Sequence, residues 1–114
     1  MDLIPNWVPS GYRTVNVYLM VKDADKALKF YNRVFSADPV MVLRYPDGRV
    51  AHAEIKIFDT IIMLAEANEE NPDPKSLGGT PTVVHLYVGD AEGVFDAAVE
   101  NGCEVVYPLK EQFY

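Results

Sequence analysis

The feature that most constrains the fold of this chain is a repeat. Slid by 67 positions, "VKDADKALKFY" (residues 21–31) falls on "VGDAEGVFDAA" (residues 88–98). Asp23 meets Asp90, and Ala24, Ala27, Leu28 and Tyr31 meet Ala91, Val94, Phe95 and Ala98. Each apolar set is spaced i, i+3, i+4, i+7, the single stripe of an amphipathic helix. Each aspartate precedes its stripe, where a carboxylate can accept from free amides of the first turn. A β-branched, aromatic-rich run stands before each aspartate and reads as a strand.

The first copy continues as "DPVMVLRYPDGRVAHAEIKIF", two strand-like runs around the turn Pro46-Asp47-Gly48, followed by the strand "TIIMLAEA". Module one therefore reads β-α-β-β-β over about residues 13–66. Residues 67–81, rich in Asn, Glu, Pro and Gly, read as a linker. Module two, residues 82–114, supplies a strand (82–88), a helix (91–101, ended by Gly102) and a strand (103–107). The repeat then asks for a further strand pair that this sequence does not supply. Unpaired edges invite pairing with another chain, so a homodimer is expected.

At 114 residues the chain has room for one hydrophobic core. Seventeen acidic against ten basic residues give a formal net charge of -7. The basic residues are scattered, which argues against nucleic acid and against anionic membrane surfaces as partners. No apolar run approaches the roughly 20 residues of a membrane span. One cysteine, Cys103, excludes an internal disulfide and fits a reducing compartment, so a cytoplasmic location is expected. Following Gly102 with no basic neighbour, Cys103 reads as an inert core thiol.

Strand alternation assigns faces. In the first strand Val15, Val17, Leu19 and Val21 share the helix side, leaving Asn16, Tyr18 and Met20 opposite. In "VAHAEIKIF" the apolar set is Ala51, Ala53, Ile55 and Ile57, with His52, Glu54 and Lys56 on the other side. In "VVHLYVGD" Val84, Leu86 and Val88 pack on the helix, while Val83, His85 and Tyr87 face away from it. His52 reads as structural or exposed on a strand near an edge. Glu54 beside Lys56 reads as part of a solvated polar face, and service as a general base would require burial to raise its pKa.

Strand, Asp cap and a helix holding Phe30-Tyr31, followed by two hairpins and a second copy, resemble the glyoxalase/bleomycin-resistance/extradiol-dioxygenase (vicinal oxygen chelate) superfamily. "GYRTVNVYLMVKDADKALKFYNRVFSA", "PDGRVAHAEIKIFDTIIMLAE" and "TVVHLYVGDAEGVFDAAVENGCEVVYPLKEQFY" are most similar to its phosphonate-operon-B-like branch. The resemblance implies an α+β fold in which paired βαβββ modules form a curved mixed sheet with helices on the convex face. Module two is incomplete, since such relatives continue to two further strands.

Curling of the sheet would bring Tyr18, His52, Glu54, Met63, His85 and Tyr87 into one cup, the aromatic and sparsely polar lining of a small-molecule pocket. In metal-using relatives each module gives a ligand from its first strand and one from its last. Carried over, these positions hold Tyr18, Met63 and His85, and the fourth lies beyond Tyr114. Neutral phenol and thioether suit a hard divalent ion poorly. The expectation is therefore a metal-free pocket for a small polar or aromatic molecule, bound by Tyr18, His52, Met63, His85 and Tyr87, with Glu54 as the candidate catalytic group. The alternative is a lyase, isomerase or dioxygenase using Zn, Ni, Mn or Fe, with His85 and a downstream Glu as ligands. A third reading is an interaction module that recruits a partner strand to an open sheet edge.

Overall fold

The computed structural model describes residues 5–110, in the order β1 (Tyr18–Val21), α1 (Ala24–Phe35), β2 (Pro39–Arg44), β3 (Val50–Ile57), β4 (Thr60–Glu66), α2 (Pro74–Leu77) and α3 (Ala91–Glu100). Asp23 caps α1 as its position before the stripe requires, its carboxylate accepting the Lys26 amide at 3.1 Å. The helix ends where Ser36 enters the left-handed region (φ 54°) and returns its amide to the Asn32 carbonyl.

The β2–β3 hairpin closes around Asp47 and Gly48, with the Tyr45 amide on the Arg49 carbonyl at 2.8 Å and Gly48 at φ +93°. A two-residue turn, Phe58-Asp59, joins β3 to β4. The sheet order is β1-β4-β3-β2. After β1 the chain crosses over α1 to the far edge, and two hairpins walk back until β4 lies parallel to β1. The result is the α+β fold with a curved, mixed sheet that the repeat and the resemblance imply, built here as one βαβββ module.

Ala24, Ala37, Val50, Ala53, Ile55, Ile62 and Leu64 form the core, and Leu19, Leu28, Tyr31 and Phe35 close over it. Most come from the helix-side parity of each strand and from the α1 stripe; Ala37 follows the helix, and Val50 enters the core at the β2–β3 register shift. A bidentate pair, Arg44 to Asp25 at 2.7 and 3.0 Å, fastens the edge strand β2 to the first turn of α1.

Module two departs from expectation. Its helix forms as α3, capped by Asp90, and packs on α1. Residues 82–88 and 103–107 make no strand. A strand exists only within a ladder, and no strand of module one hydrogen-bonds to either segment. Their apolar side chains consequently stay open to solvent, Tyr87 at 94% exposure. Cys103, expected in the core, is exposed for the same reason.

Candidate functional site

Register sets one side chain from each strand in a row across the sheet. Tyr18 of β1 pairs with Met63 of β4, Met63 with Glu54 of β3, and Glu54 with Met41 of β2. His52 leaves the same face of β3 two residues before Glu54, opposite Leu43. The strand carrying both is internal to the sheet, which corrects the expectation of an edge position for His52.

A chain of hydrogen bonds links these side chains. The Tyr12 hydroxyl donates to Glu54 Oε1. Glu54 Oε2 lies 2.7 Å from His52 Nε2, and His52 Nδ1 lies 2.9 Å from the Tyr18 hydroxyl. The Tyr18 and His52 rings sit 5.5 Å apart, tilted to one another. Glu54 is 6% exposed, so it is a buried carboxylate and not part of a solvated face. Burial alone would raise its pKa. The Tyr12 hydroxyl, and then His52, outweigh that and hold the carboxyl below its ordinary value. The condition for a raised general base is thus reversed: Glu54 is an ionised group with both oxygens engaged.

Donor and acceptor roles follow. An ionised carboxylate only accepts, so His52 Nε2 carries a proton toward Glu54. In the neutral ring Nδ1 is then the acceptor, and the Tyr18 O–H donates to it. Desolvation, with the neighbouring Tyr45 and Glu54, raises the Tyr18 pKa and keeps the phenol protonated. The site is a polarised relay, carboxylate to imidazole to phenol, ending at Tyr18, a residue 47% exposed.

Tyr12 and Met41 are the members that sequence reasoning missed. Tyr12 precedes the first strand and is aimed by a turn: its amide reaches the Pro9 carbonyl at 3.1 Å, and Gly11 adopts φ +90°. Asn16 then folds back on Arg13, accepting its amide and donating to its carbonyl. The signal available was "PSGY", a turn sequence that delivers a tyrosine to the sheet.

His85 and Tyr87 lie elsewhere. With their rings 4.8 Å apart, they line a cavity of about 620 Å³ that is also walled by Leu19, Phe30, Tyr31 and Phe58. Leu19 and Tyr31 belong to the helix side of the sheet, opposite the Tyr18 row. The six candidates therefore divide: Tyr18, His52, Glu54 and Met63 share one face, and His85 and Tyr87 border the other. Without a ladder to fix its alternation, the segment 82–88 has no frame that would turn His85 toward Tyr18. The residues at the positions implied for a metal do not fit one. The Tyr18 proton is committed to His52, Met63 offers a thioether, and His85 is on the wrong side. Among the described residues no three His, Cys, Asp or Glu side chains converge.

A mixed sheet with one crossover helix and a polar cluster on its free face defines a βαβββ module of the glyoxalase type. The family model for the Glyoxalase/Bleomycin resistance protein/Dioxygenase superfamily matches residues 13–114, and the chain belongs to that family. It is 35% identical over 105 residues to the uncharacterized protein Mb0911c of Mycobacterium bovis, covering 85% of this chain and 67% of that one. It spans 60% of two similar Mycobacterium tuberculosis proteins, also uncharacterized. Among solved structures it is similar to TioX from Micromonospora sp. ML1, with a TM-score of 0.61, 21% identity and coverage of 88% of this chain and 80% of that one. The fosfomycin resistance protein FosX from Listeria monocytogenes is similar at a TM-score of 0.56 and 16% identity, over 78% of this chain and 69% of that one. Identities this low speak for the fold alone. Among the described residues no helix is long and apolar enough to cross a membrane.

Proposed function

We propose that this chain is a binding protein of the superfamily that holds a small aromatic or polar molecule against the Tyr18–Met63–Glu54–Met41 row without using a metal. The observation that carries this reading is the relay Tyr12–Glu54–His52–Tyr18, which fixes the hydroxyl of a half-exposed tyrosine beside the Met63 thioether. Few polar groups, each locked by its neighbours and set in an apolar surround, are what a small-molecule site requires. Tyr18, His52 and Met63 touch the ligand. Glu54 orients His52 and takes no proton from the ligand, because both its oxygens already accept. His85 and Tyr87 serve the separate cavity beneath α1. Among the described residues the donor set gives a metal-dependent lyase, isomerase or dioxygenase no support. A homodimer would cover the outer edges of β1 and β2, which have no partner strand among the described residues.

The test is a panel of small aromatic compounds screened against protein carrying labelled methionine methyls. Ligands of this site shift the Met63 and Met41 resonances and raise the melting temperature, and Tyr18→Phe or His52→Ala weakens both effects for ligands that hydrogen-bond to the relay. A panel that leaves those two methyls unmoved while shifting others sinks the reading.

A further inference from the structure

Resting on that reading, we infer that the ligand is an aromatic or similarly apolar body bearing a neutral hydrogen-bond donor, and that the Tyr18 oxygen receives it. The argument counts protons. Tyr18 has one, and it points at His52 Nδ1, 2.9 Å away. In the neutral ring that nitrogen can only accept, because the ring's one proton sits on Nε2, which gives it to Glu54 at 2.7 Å. Glu54 is held as an acceptor by the Tyr12 hydroxyl on its other oxygen. A hydroxyl whose proton is spent still has a lone pair, and with 47% of Tyr18 exposed that lone pair is what the site offers.

The surroundings fill in the rest of the ligand. Met63 stands beside Tyr18 across the strand pair, and Met41 and Leu43 continue the face on β2. Thioethers and branched apolar chains pack well on an aromatic ring. The buried carboxylate of Glu54 sets a negative potential beneath the row and disfavours an anion. Lys56 lies further along the same face, opposite Ile61, but it is exposed and its charge is screened by water.

Three probes of one shape separate the possibilities: para-cresol, its methyl ether and para-toluate. Binding is read from the Met63 methyl shift at neutral pH. The cresol is expected to bind about five- to tenfold more tightly than its ether, the discrimination of one neutral hydrogen bond, with the toluate weakest. Tyr18→Phe should bring cresol down to the level of the ether and leave the ether unchanged. His52→Leu provides a second check, since freeing the Tyr18 proton lets the ether gain a donor and closes the gap from the other side. Equal binding of cresol and ether, or tightest binding of toluate, overturns the inference and leaves the binding site standing. If none of the three probes moves the Met63 methyl, the site reading falls and takes the inference with it.

Discussion

His52 Nε2 stands 2.7 Å from Glu54 Oε2 although both side chains leave the same strand two residues apart. In a flat strand, side chains at i and i+2 run side by side at their roots. Here Glu54 is pinned by Tyr12 from one side, and the imidazole leans onto its free oxygen. A local pair thus becomes an oriented one, because a third residue from 42 positions away fixes one end.

That geometry makes a statement about acid. The Glu54 carboxyl is ionised more readily in the folded chain than at its ordinary value of 4.5, chiefly through Tyr12 and then His52. A lowered folded value contributes stability that is fully present above pH 4.5 and is lost as pH falls through the folded value. The stability difference between wild type and Glu54→Gln should hold from neutrality down to about pH 4.5 and shrink below it. Thermal melts between pH 7 and pH 3 read it, and a gap that stays constant into acid would contradict the assignment.

Tyr12→Phe tests the far end of the relay. Removing the hydroxyl leaves one buried lone-pair site of an ionised carboxylate without its donor. The Glu54 carboxyl should then titrate closer to its ordinary value, visible in carbonyl-detected NMR, and the acid-dependent stability should flatten. Gly11→Ala should move the same observable in the same direction. A Cβ there meets only Ile61 Cδ1, at an ordinary 3.5 Å, so its cost lies in holding φ +90° and shows as a shifted Tyr12 turn.

The parts of this molecule that local chemistry decides were readable in its sequence. Asp23 and Asp90 announced the starts of α1 and α3, Pro46-Asp47-Gly48 announced the hairpin, and alternation put His52 and Glu54 on one face. What was not readable depended on partners distant in the chain. His52 lies inside the sheet because β2 and β4 flank its strand, which no window around residue 52 contains. Glu54 is depressed and not raised because Tyr12 reaches it. The segment 82–88 has every local mark of a strand, yet a ladder takes two, and its propensity alone could not supply the second.

Leu64 is wholly buried between α1 and the sheet, with Ala53 as its cross-strand neighbour. Two alanines near it, Ala24 and Ala53, leave little side-chain volume to move into a hole. Leu64→Ala should therefore cost about 2–5 kcal/mol. Urea titration should show a lower midpoint with an unchanged slope.

The two hairpin turns respond oppositely to substitution. Gly48 sits at φ +93° with open space where a Cβ would go, so Gly48→Ala costs backbone strain alone, about 1 kcal/mol. Phe58 holds φ 53° as the first residue of the two-residue β3–β4 turn, a position that favours glycine or asparagine over a bulky side chain. Phe58 is 64% exposed, so burial returns little of that strain. Phe58→Asn should consequently stabilise the fold by about 0.5–1 kcal/mol. The ring also borders the cavity beneath α1 that holds His85 and Tyr87. If Phe58→Asn instead lowers the melting temperature, the ring contributes more through that cavity than the turn loses in strain. A melt of the single variant decides the sign.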